Sequence, residues 1–219
     1  MLSANVSELE RLIMANIPRD ALMAFEDAYF SGDEKGRKRA ADFEPGHRPS
    51  AAGQNKHFSI NETFFDALLA HGAEPSPLKG TQLVVGRMGL FNVARLSVPG
   101  HQWANPGRSK TRKKLADQNY AIQNKYVQAN LFGEQPAVVH GTIFIIGVMD
   151  GLDNNKMSQL TQVMLALPAP NMESWLYIST IADFLKLYDE VDAVAQADDA
   201  KPTLKIITKK QTDNEQGNQ

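Results

Sequence analysis

The stretch PAVVHGTIFIIGVM, Pro136 to Met149, is the most apolar in the chain. It is shorter than the ~18 residues that cross a membrane as a helix, and His140 interrupts it. Its β-branched residues run almost unbroken, so it predicts a strand buried on both faces rather than on one. Such a strand must be covered above and below by other elements. That constraint points to an α/β (α+β) fold, a mixed sheet with helices packed against it.

The flanking segments fit this scheme. In SELERLIMANI, Leu9, Leu12, Ile13 and Ile17 recur at helical spacing, and Ser7 with Glu10 forms a capping-box pattern. PRDALMAFEDAYF predicts a second helix with Pro18 near its first turn. From Ser31 to Ser59 the chain turns polar and predicts a long loop or arm. NETFFDALLAHG predicts a third helix, capped by Asn61 and stopped at Gly72. TQLVVGRMG and LFNVARLSVPG predict two short strands joined by a turn around Met88 and Gly89. LTQVMLALPAP predicts another buried strand, GLDNNK a turn, and NMESWLYISTIADFLKLYDEV one long helix capped by Asn171. The expected organisation is a single domain over residues 1–200. Its helical N-terminal part is 1–72, its α/β core about 73–195, and 201–219 form a mostly disordered polar tail.

Charge is distributed unevenly. The formal net charge is only −2. Between His101 and Tyr126, however, Arg108, Lys110, Arg112, Lys113, Lys114 and Lys125 face Asp117 alone, a local balance of +5. Between Asp183 and Ala200 six acids face Lys186, a balance of −5. Such polarity steers a polyanion to one face. The basic run follows Pro106-Gly107, and Ser109 or Thr111 supplies helix-start chemistry. Cations at a helix start oppose the macrodipole, and an anion bound there resolves the conflict. Trp103, beside the cations, offers a surface on which a base could stack. The expected nucleic-acid-binding residues are therefore Arg108, Ser109, Lys110, Thr111, Arg112, Lys113, Lys114 and Trp103. GRKRAADFEPGHRP adds a second basic patch, diluted by Asp42 and Glu44.

Hairpin, helix and strand in that order, with a helix in front, resemble the core of the restriction-endonuclease-like nucleases over roughly Asn61 to Val191. The resemblance implies a Mg²⁺ site built from an Asp on one hairpin strand and a Glu-x-Lys on the next. This chain reads LVVGR at the first place and VAR at the second, with Val93 for the Glu and Arg95 for the Lys. Both carboxylates are missing, so the resemblance implies a nuclease relative without the standard metal site.

Other chemistries find little support. Without cysteine there is no disulfide, thiolate zinc site or thiol nucleophile. The five histidines lack ligand spacing, and His140 is expected as a core residue of its strand. DGLDNNK lacks the order of a calcium loop, so no metal and no cofactor are expected. MLSANVSELERLIM has no basic segment ahead of an apolar run, and the chain is expected to be soluble and cytoplasmic, away from membranes. The expected function is binding of DNA or RNA. The alternative is an interaction module whose basic loop meets an acidic protein partner, including Asp189–Asp199 of a second copy in a homo-oligomer. An enzyme assembled from scattered residues such as His101, Arg95 and Asp150 has no pattern to select it, so catalytic residues stay unassigned.

Overall fold

The computed structural model describes residues 6–100, 105–127, 140–153 and 157–199. The 201–219 segment, His101 and Trp103 lie outside them. Helix α1 (Glu8–Asn16) opens with the expected capping box: Glu10 N donates to Ser7 Oγ at 3.2 Å, and Ser7 N donates to Glu10 Oε2 at 2.7 Å. Pro18 is the N-cap of α2 (Arg19–Ala40), and α3 spans Arg48–Ala70. No helix among the described residues is long and apolar enough to cross a membrane.

The polar stretch from Ser31 to Ser59 is therefore not a long loop. Most of it extends α2 and starts α3, and Asn61 lies inside α3 rather than at its cap. Two features make this possible. Gly32 and Gly36, one turn apart on α2, let the helices touch through backbone: an added Cβ would lie 2.7 Å from Ile60 Cα and 2.5 Å from Lys56 Cα. The polar side chains then answer one another inside. Asp33 and Lys56, 2% and 4% exposed, approach to 3.7 Å, and Arg37 Nε donates to Asp33 at 2.9 Å. Lys56 Nζ donates to the carbonyl and hydroxyl of Ser158, at 2.7 and 2.6 Å. Gly36→Leu should force the helices apart. Overpacking of this kind costs about 1–3 kcal/mol, read as a melting temperature lowered by several degrees.

Among the described residues five strands form one sheet in sequential order. The hairpin of β1 (Val85–Met88) and β2 (Phe91–Pro99) is antiparallel and turns at Gly89 and Leu90. β2 lies parallel to β3 (Gly141–Leu152), which runs antiparallel to β4 (Ser158–Pro168). β5 (Trp175–Thr180) closes the row antiparallel to β4. The class is thus α+β, with a mixed sheet and a helical N-terminal part, as the apolar run required. β3 is buried on both faces: Ile143 and Ile145 meet the helical layer, while Phe144, Ile146 and Val148 pack on the opposite side. Tyr29 of α2 reaches the sheet, its hydroxyl 2.8 Å from Leu96 O and 2.6 Å from Ile145 O.

Four further expectations change. Trp175–Thr180 is a strand, and only Ile181–Asp199 forms the last helix. Asn171 makes a turn contact with Glu173 N at 3.0 Å instead of capping that helix. His140 is exposed and precedes β3, so it is not a core histidine. Gly151 and Leu152, expected in a turn, still belong to β3.

Candidate anion-binding site

The basic run folds as expected at its start. Asn105–Arg108 make a 3₁₀ turn, and Ser109, in extended backbone, caps α4 (Lys110–Ala116) by accepting from Arg112 N at 3.5 Å. The helix does not continue smoothly toward Phe132. A 3₁₀ turn (Asp117–Asn119), the short α5 (Tyr120–Ile122) and a π-turn (Gln123–Val127) follow, and residues 128–139 lie outside the described ones. Apolar and amide contacts hold this unit on the sheet. Ala116 is buried and Leu115 packs on the β3 face opposite the main helical layer. Buried Asn119 donates to Thr142 O and Pro168 O at 2.9 and 2.8 Å and accepts from Thr142 N at 2.6 Å. Gln118 accepts from Asn92 at 2.8 Å and Thr142 at 3.0 Å.

That anchoring leaves the cations outward. Arg108, Lys110, Thr111, Lys113 and Lys114 are exposed, while Ser109 and Arg112 are half-buried. None of the five cations from Arg108 to Lys114 makes an ion pair among the described residues. Thr111, Arg112 and Lys114 wall a groove of about 570 Å³ whose other side carries Gln82 and His57. The second basic patch behaves differently. Arg37 pairs with Asp33 and Asp153, Lys38 with Glu34, and Arg39 with Glu62. Glu62 also takes Lys35 at 3.0 Å.

His57 lines a second space as well. A cavity of about 610 Å³ opens between the first half of α3, the free edge of β2 beyond β1, and the far end of β3. Arg95, Lys56, Ser97, Ser158 and Asp150 also line it. Arg95 shares a strand face with Val93, which drives it under α3, where it is 2% exposed. All of its hydrogen-bond partners among the described residues are neutral. Nε donates to Asn61 Oδ1 at 2.6 Å, Nη2 to His57 O at 2.9 Å, and Nη1 to Ser97 Oγ at 3.4 Å. Nη2 also lies 3.0 Å from His57 Nδ1. Arg95 forms no ion pair among the described residues, although a charge so buried ordinarily finds an opposite one.

The electrostatics converge on His57. Burial, then the Arg95 and Arg112 guanidiniums, hold its imidazole below the usual range, against a backbone hydrogen bond at Thr81. The unfolded chain, with the ordinary histidine value of about 6.5, therefore binds the proton more readily. Stability from this group is present above that value and is lost as pH falls through it. Acidification from about pH 7 to about pH 5 should lower the melting temperature more steeply in the parent than in His57→Gln.

The structure brings Arg95 and Asp150 to one cavity, and Ser109, Thr111, Arg112 and Lys114 to an adjoining groove, with Arg108, Lys110 and Lys113 exposed beside it. Sequence reading missed His57, Lys56 and Asn61 as contributors to this region. The available signal was Arg95 in phase with buried Val93 on an apolar strand. Among the described residues no group of three or more His, Asp or Glu is placed to hold a metal ion. Comparison with protein-family models, curated proteins and solved structures found no match to this chain.

Proposed function

We propose that this protein binds nucleic acid, or a polyanion of similar charge spacing, through α4 and the groove beside it. The observation that carries the reading is the set of five cations on a short, sheet-anchored segment without an acidic partner among the described residues. Elsewhere on the helices Arg19, Lys35, Arg37, Lys38 and Arg39 all find carboxylates in the same chain. Like charges crowded together repel, and a phosphate backbone relieves that repulsion while releasing its counterions. Phosphate contacts of this kind give affinity with little sequence preference.

The acidic-partner alternative is less well supported by a second copy of this chain. Asp189 is engaged by Arg19 at 3.1 Å and Asp183 by Lys186 at 2.6 Å. With Val93 and Arg95 where the nuclease resemblance would require Glu and Lys, the reading is of a binding protein or a divergent relative rather than a metal-dependent nuclease. The test is fluorescence anisotropy with labelled duplex and single-stranded DNA at ~50 mM salt, where non-specific phosphate contacts are strong. Saturable binding of either is expected. Binding of neither would hand the basic segment to an acidic protein partner.

A further inference from the structure

The cavity on Arg95 calls for a ligand of its own, independent of α4. Arg95 is a fixed charge whose fork is oriented by Asn61, Ser97 and His57, none of them anionic. A buried guanidinium without a counter-charge is costly to the folded state, and an entering anion offsets that cost. The space in front of it lies within the ~300–1,000 Å³ range of small-molecule sites. Its walls divide by chemistry. Arg95, His57 and the hydroxyls of Ser97 and Ser158 offer donors, whereas Ile60, Val98 and Met149 are apolar. Lys56 adds positive charge, although its ammonium is already committed to Ser158 and Asp33. Exposed Asp150 stands on the wall too, suited to ligand hydroxyls rather than to a second anionic group.

We infer that this cavity binds a phosphate monoester of nucleotide size, its phosphate on Arg95 and its planar body against the apolar wall. Arginine suits this role because its fork matches phosphate oxygens two at a time. The same chemistry is presented by a free nucleoside monophosphate and by the 5′-phosphorylated end of a strand.

The test is calorimetric titration of the full chain with adenosine 5′-monophosphate and with adenosine. The phosphate should improve affinity by about tenfold or more, the ordinary worth of hydrogen bonds to a charged group. Two variants remove the site in different ways. Arg95→Met deletes the charge while keeping much of the volume. Gly53→Leu fills the cavity from α3: Gly53 lines it, and an added Cβ there meets no atom within 4 Å. Leucine also favours helix over glycine, so this variant should melt no lower than the parent. Each should weaken monophosphate binding by about tenfold, while replacing Lys110, Lys113 and Lys114 by Ala should leave it within about twofold. Equal affinity for monophosphate and nucleoside, or parent-like binding by Gly53→Leu, would overturn the inference. So would no detectable heat at millimolar monophosphate. A 5′-phosphorylated oligonucleotide that outcompetes its 5′-hydroxyl counterpart, and loses that advantage in Gly53→Leu, would identify the strand end as the source. Discrimination by the mononucleotide alone would identify the free nucleotide.

Discussion

Asp33→Ala should destabilise the protein by about 3–5 kcal/mol, the usual consequence of stripping one partner from a buried ion pair. Asp33 and Lys56 are nearly inaccessible, and both ends of the pair are tied to further groups. The pair itself is loose: at 3.7 Å the Lys56 ammonium is within charge contact of Asp33 Oδ1 but beyond hydrogen-bond reach, and among the described residues that oxygen has no hydrogen-bond partner. Burial already pushes the Lys56 ammonium below the usual lysine range, with the Asp33 carboxylate opposing. Without Asp33 the amine keeps, among the described residues, its hydrogen bonds to Ser158 and the weaker attraction of the Asp153 carboxylate, and it must either lose its proton or stay charged while buried. Arg37 retains Asp153 at 3.6 Å, so the loss falls mainly on Lys56. Lys56→Met in the same molecule should therefore recover most of the stability, because an apolar replacement of a whole buried pair is often neutral. Urea unfolding of the parent, the single variant and the double variant measures this. A single variant within about 1 kcal/mol of the parent would show that solvent reaches the pair.

That network explains why the helical layer was the least legible part of the sequence. Ser31–Ser59 is polar by composition and broken by Gly32, Gly36 and Gly46, all marks of a loop. Its polarity is instead spent on partners distant in the chain, Asp33 on Lys56 and Lys56 on Ser158, which local pattern cannot reveal. Gly32 and Gly36 mark a close helix crossing rather than a break, whereas Gly46 lies in the turn between α2 and α3. Pattern succeeded where one rule dominated: the Ser7–Glu10 capping box, the β1–β2 hairpin and the doubly buried β3 all stand. The missed boundary between β5 and the last helix had a signal. Thr180 accepts from Asp183 N at 3.0 Å and donates to its carboxylate at 2.8 Å, a cap in the middle of one apolar run. In the site, the charge cluster was visible as composition. Its neighbour Arg95 was visible as a departure from a nuclease motif and as a charge in phase with Val93 on an apolar strand, but what it meets under α3 depends on three-dimensional packing.

The second large effect concerns α4. Replacing Lys110, Lys113 and Lys114 with Ala should weaken binding to every nucleic-acid sequence tested while the fold survives. The three side chains are exposed and unpaired among the described residues, whereas the helix is held through Leu115, Ala116 and Asn119. Alanine favours the helix and Lys110 opposes its dipole, whereas Lys113 and Lys114 lie in the last turn, where cations suit the dipole, so these small effects offset and the melting temperature should change little. Each phosphate contact on duplex DNA contributes about −0.9 to the slope of log affinity against log salt. The decisive measurement is that slope, taken for parent and triple variant with one labelled duplex. The account predicts a linear dependence in the parent and a slope flatter by roughly two to three units in the variant. Equal slopes for two well-folded proteins would contradict it and remove α4 from the interface.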